Sequence, residues 1–187
     1  EPQGGQSLPE YANMFLPQID TTVPFVLLGV SFGGMCVTEL AKQLKPQQTI
    51  IVSSAKTASE LPWLIKLARF VPIHQVISAS LFVNLAVLFR KRFGVRRGDE
   101  TVLFRAMLEK RSRAYFRYTI HAIATWKNET VPENLVHFHG DADLLLPFKR
   151  IKNPIRIKGG NHFMILQEGA VLSEEIDRIK LTGFTNL

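Results

Sequence analysis

The chain has 187 residues, 46% of them apolar, enough for one substantial core, and its 23 Lys and Arg against 16 Asp and Glu give a net charge of +7. No apolar run reaches the roughly 18 to 20 residues of a membrane span; the longest stretch, Val76 to Phe89, is interrupted by Ser78, Ser80 and Asn84 and reads as a buried helix. Cys36 is the single cysteine, so no internal disulfide forms, and a reducing compartment, the cytoplasm, is the expected location.

In chain order, Ser7-Leu8-Pro9-Glu10 is a capping box that opens a helix from about Pro9 to Ile19. Asp20-Thr21-Thr22 turns into the apolar run Val23 to Leu28, a strand. Next comes Gly29-Val30-Ser31-Phe32-Gly33-Gly34, and then a helix from Met35 to Leu44 that Lys45-Pro46 stops. Thr49 to Ser54 is the following strand. Helix, strand, helix, strand is the rhythm of a parallel sheet with right-handed crossovers.

A serine among small residues, where a strand turns sharply into a helix, is a nucleophile elbow. The turn strains the serine backbone, and Gly29 and Gly33 are expected to remove side chains that would strike the neighbouring strand and helix. Ser31 then stands at a helix N-terminus, where free N–H groups favour a developing negative charge, and the Phe32 N–H is the natural oxyanion donor.

Residues 56–133 show helical patterns and no convincing strand: Leu61 to Phe70, Val76 to Arg92, and Thr101 to Trp126 with Asp99 as N-cap. This segment holds 14 basic against 6 acidic residues, so it carries the whole positive balance of the chain. Its clusters Arg90-Lys91-Arg92, Arg96-Arg97 and Lys110-Arg111-Ser112-Arg113 read first as a solvated outer face. Contact with an acidic substrate or an anionic membrane surface is the alternative, because Trp63, Phe70, Phe82, Phe89 and Phe93 share the segment. No nucleic-acid-binding signature is present. His74 and His121 have no partner signature and read as structural.

Asn134 to His139 reads as a buried strand running into Gly140-Asp141-Ala142-Asp143-Leu144-Leu145-Leu146-Pro147, and Pro154 to Lys158 as another, ending in Gly159-Gly160-Asn161-His162-Phe163. A nucleophilic serine needs a base and a carboxylate to orient it. Here His162 is the candidate base, with Asp143 and Asp141 as competing acids, each after the C-terminal end of a strand, where open parallel sheets place their sites. His139 reads as a turn-bonding histidine, and none of the histidines has metal-ligand spacing.

These three segments in this order resemble an α/β-hydrolase: Gly29 to Gly34 match its elbow, His139 to Pro147 the segment carrying its acid, and Gly159 to Phe163 its histidine loop. The resemblance implies an α/β fold, a mostly parallel sheet flanked by helices, with residues 1–55 and 134–187 as core and 56–133 as a helical cap. It implies Ser31 as nucleophile, His162 as base then acid, Asp143 as orienting carboxylate in preference to Asp141, and the Phe32 N–H as oxyanion donor. The expected activity is hydrolysis of a carboxylic ester or thioester of a small-molecule acyl substrate through an acyl-serine, with no metal or organic cofactor. An amidase, peptidase or acyltransferase using the same residues, and a non-catalytic binding module of the same fold, are the alternatives. The resemblance departs before the elbow, where only Glu1 to Asp20 stand in place of several strands. Either the chain is a portion of a longer protein or another chain completes the sheet; on the first reading roughly 50 or more residues lie upstream.

Overall fold

The computed structural model describes residues 2–3, 5–70, 77–96 and 98–183; His74 and Arg97 lie outside them. Four strands form one parallel sheet in the order β1-β2-β3-β4: β1 Val26–Val30, β2 Gln48–Val52, β3 Leu135–Gly140 and β4 Ile155–Ile157. Register pairs Leu28 with Ile50, Ile51 with His137, and His139 with Arg156. The strands are rich in Val, Ile and Leu, as expected where both faces of a parallel sheet receive helices.

Side-chain alternation divides the core in two. On one face Leu27 meets α1 (Leu8–Asn13) and α2 (Phe32–Leu44) through Leu8, Ala12, Met35 and Leu40. On the other, Ile50, Val52, Phe138 and Ile157 meet Met164 and Leu172, which belong to α7 (Met164–Gln167) and α8 (Gly169–Gly183). The architecture is the expected α/β layering. β1 is an edge strand that buries Leu27 and leaves Val26 and Leu28 exposed.

Between β2 and β3 the described residues form no strand; they hold α3 (Trp63–Leu67), α4 (Ala79–Leu88), α5 (Gly98–Glu109) and α6 (Arg113–Thr125), with 3₁₀ turns at Ala58–Glu60 and Arg90–Phe93. Here the structure corrects the sequence reading. The continuous helix expected over Thr101 to Trp126 is two helices, because Ser112 adopts an extended conformation (φ −69°, ψ 160°) and its side chain caps the Tyr115 N–H. Asp99 lies inside the first turn of α5 and is not its cap. The helix over Pro9 to Ile19 stops at Asn13, with a separate 3₁₀ turn at Leu16–Gln18 around Pro17, which lacks an N–H. No helix among the described residues is long and apolar enough to cross a membrane.

Candidate active site

β1 ends at Val30, and the chain reverses into α2 within one residue. Ser31 takes the strained conformation φ 51°, ψ −121°, at a cost of about 1–3 kcal/mol that only the surrounding packing sustains. Its N–H donates to the Val52 carbonyl at 2.9 Å, and its carbonyl accepts from the Ser54 hydroxyl at 2.7 Å and the Gly34 N–H at 2.9 Å. The turn is thus bolted to the end of β2. A Cβ at Gly29 would run into the Gly33 carbonyl, so Gly29 is required as expected. The expectation for Gly33 is corrected: a Cβ there meets nothing within 4 Å, and the close approach falls at Gly34, against the Ser54 side chain.

The Ser31 hydroxyl lies 2.9 Å from His162 Nε2, and His162 Nδ1 lies 2.8 Å from Asp143 Oδ2. Three side chains far apart in sequence therefore form one hydrogen-bonded line across the C-terminal ends of β1, β3 and β4. Because an ionised carboxylate only accepts, Nδ1 carries the ring proton and Nε2 presents its lone pair to the serine O–H. That is the tautomer in which the imidazole can take the hydroxyl proton.

Asp143 is buried and its other oxygen, Oδ1, accepts the N–H groups of Leu145 and Leu146, each at 2.8 Å. Burial pushes its carboxyl up, but the hydrogen bond and charge of His162, the Leu146 N–H and nearby His139 outweigh that, and the net result lies below the usual value. Asp141, the competing acid, is occupied elsewhere: Arg156 Nε donates to it at 2.7 Å and the Gly159 N–H at 2.7 Å, which hold its carboxyl low. It braces the histidine loop from outside.

Around the serine, the Phe32 ring packs against Tyr11 and Tyr118, at centroid distances of 5.8 and 6.4 Å. The Phe32 N–H is the first of α2 and has no hydrogen-bond partner among the described residues. Cys36, one turn further on, is a thiol pushed up to about 12 by burial and then by Glu39, so it is no rival nucleophile.

Residues 56–133 reach this site through Phe93, whose ring sits edge-on to His162 at 6.4 Å. Asn161, beside His162, donates to Gln167, and Gln167 in turn donates to the Gly94 carbonyl at 3.1 Å and Glu100 at 2.8 Å. Trp63, Phe70 and Phe89 are exposed, whereas Phe82 stacks on Phe116 at 4.3 Å. His121 is an exposed residue of α6. A cleft of about 580 Å³ opens between Asp99, Glu100 and Leu103 of α5 and Phe163, Leu166 and Gln167, but neither Ser31 nor His162 lines it. Sequence reasoning missed Ser54 and Asn161; the signal for Ser54 was its place at the end of the strand beside the elbow.

With this geometry in view, comparison with solved structures gives the fold its class. A thermophilic esterase from Thermogutta terrifontis shares 14% identity at a TM-score of 0.72, over 97% of this chain and 75% of that one. A hydrolase from Pseudomonas aeruginosa shares 17% at 0.69, over 92% and 73%. An N-acyl homoserine lactonase shares 13% at 0.65, over 97% and 72%. No protein-family model and no curated protein matches the chain. The chain has the α/β-hydrolase fold.

Proposed function

We propose that this protein is a serine hydrolase that cleaves a carboxylic ester or thioester of a small acyl substrate through an acyl-serine intermediate. The observation that carries this reading is the line from Ser31 Oγ to His162 Nε2 at 2.9 Å and from His162 Nδ1 to Asp143 at 2.8 Å. In the first step His162 accepts the Ser31 proton while Oγ bonds to the carbonyl carbon. The oxyanion draws on the Phe32 N–H and the N-terminus of α2, and His162 then protonates the leaving alcohol or thiol. Water, activated by the same ring, releases the acid and restores the serine. Asp143 stays ionised and keeps Nδ1 protonated throughout.

In this reading the helices of 56–133 act as a cap, with Phe93 beside His162 forming part of the wall over the acyl site. The fold neighbours support hydrolase chemistry in general, since they include a thermophilic esterase and an N-acyl homoserine lactonase. The test is a series of p-nitrophenyl esters and acyl thioesters of graded chain length. Turnover should fall by about 10⁴-fold or more in Ser31→Ala. Hydrolysis that persists unchanged in Ser31→Ala would refute the proposal.

A further inference from the structure

Behind Asp143 runs a line of buried polar side chains that the chemistry above does not use. Lys56 follows β2; its ammonium lies 2.9 Å from Glu60 Oε1 and 3.4 Å from His137 Nδ1, and also donates to the Lys152 carbonyl. Glu60 is fully buried and accepts the N–H groups of Lys56 at 2.8 Å and Lys152 at 2.9 Å. His137 and His139 stand two residues apart on β3 and so share one face of the sheet, both buried, with His137 Nε2 3.2 Å from His139 Nδ1. His139 Nε2 then lies 2.8 Å from the Leu146 carbonyl and 3.5 Å from Asp143 Oδ2.

The protons on this line follow by elimination. An ammonium has only hydrogens to give, so His137 Nδ1 facing Lys56 is a bare lone pair, and the neutral ring carries its proton on Nε2. A carbonyl oxygen only accepts, so His139 facing Leu146 carries its proton on Nε2 and leaves Nδ1 bare. The contact between the two rings is then an N–H of His137 donating to the Nδ1 of His139. Both ends impose the same assignment, and a further proton on His139 Nδ1 would set donor against donor. The ionisable groups around the pair agree. His137 faces Lys56, His139 and the Ser54 backbone; burial, then Lys56 and His139, hold it well below the usual imidazole value and outweigh the hydrogen bond to the Ser54 backbone, which pulls the other way. His139 also feels Asp143, His162 and Glu60; burial lowers it and outweighs the Leu146 carbonyl and Asp143, which pull the other way.

The last donor in the line grips the loop that makes Asp143 what it is. His139 holds the Leu146 carbonyl, while the N–H groups of Leu145 and Leu146 hold Asp143 Oδ1. We propose that His137 and His139, locked as Nε2–H tautomers by the buried Lys56–Glu60 pair, are positioning residues that fix the Asp143 loop at the geometry His162 requires. The proposal rests on the reading of Ser31, His162 and Asp143 as a catalytic set. It assigns the role of turn-bonding histidine, expected of His139 from sequence, to a line reaching back to β2.

The test has two arms. Long-range ¹H–¹⁵N spectra of the wild-type protein should show both imidazoles neutral and protonated on Nε2 from about pH 6 to about pH 9. A His137 or His139 signal from an Nδ1–H tautomer or an imidazolium in that range overturns the proposal. In the second arm the rate of Ser31 labelling by a fluorophosphonate is compared across variants. His139→Gln keeps one donor and one acceptor and should label within about threefold of wild type, whereas His139→Leu should label about 10- to 100-fold more slowly. Equal rates for the two variants, whether fast or slow, overturn the positioning role. Should His139→Leu not fold, the Gln variant and the spectra decide, with a Gln variant slowed more than about tenfold counting against. Absence of labelling in the wild type sinks the catalytic reading of Ser31, and the spectra then judge the tautomer line alone.

Discussion

The protein treats its ionisable residues in two opposite ways. Behind β3, Lys56, Glu60, His137, His139, Asp143 and His162 are all buried and each has a partner within hydrogen-bond reach. Within residues 56–133, Lys91, Arg92, Arg96, Lys110, Arg111 and Arg113 are exposed. The residue types overlap, yet burial changes what they do. A charge in low dielectric is costly unless its partners are in place, so the buried set defines positions, whereas the solvated set tolerates rearrangement.

The largest expected break in that contrast is Glu60→Ala, which leaves the Lys56 ammonium buried without its counter-ion; chemical denaturation should show a loss of about 3–5 kcal/mol. Smaller, and confined to the elbow, is Gly29→Ala: the added carbon meets the Gly33 backbone, and overpacking of this kind costs about 1–3 kcal/mol and should slow Ser31 labelling. Its control is Gly33→Ala, where space is open, with stability unchanged or raised by up to about 1 kcal/mol.

Acid should act next. His137 and His139 are both held below the ordinary value of 6.5 in the folded protein, so the unfolded chain binds more protons as pH falls. Their contribution is complete above about pH 6.5 and is lost progressively below it, towards their folded values. Asp143 is also depressed, from an ordinary value of 3.8, so its own contribution persists until pH drops through that lower range. Urea titrations from about pH 8 to about pH 5 should show stability declining. A rise on acidification would contradict the neutral tautomers. Least of all, Lys110→Ala and Arg111→Ala should each change stability by no more than about 0.5 kcal/mol.

Much of the site was readable because its parts are local. The Gly29–Ser31 turn, the Gly140 to Pro147 loop and Gly159 to Phe163 each declare themselves within a few residues, and strand rhythm places all three at one end of the sheet. Asp143 was preferred to Asp141 on the resemblance alone; in the structure Asp143 faces His162, whereas Asp141 accepts from Arg156 and the Gly159 N–H. What stayed hidden depends on through-space pairing. Nothing near Lys56 in sequence announces that it will meet His137, 81 residues away. The split between α5 and α6 escaped notice because Lys110, Arg111 and Ser112 carry no Gly or Pro, and only the conformation of Ser112 shows that its hydroxyl serves as a cap. Gly33 looked required because the motif pairs it with Gly29, whereas the steric demand falls one residue later, where Ser54 approaches.

The central claim, that Ser31 is a nucleophile activated by His162, is tested most directly by incubating the native protein with a fluorophosphonate and mapping the adduct by peptide mass spectrometry. A single phosphonyl group on the peptide containing Ser31, absent in both Ser31→Ala and His162→Ala, is the expected result. An unmodified Ser31 in fully folded wild-type protein, or labelling undiminished in His162→Ala, would contradict it.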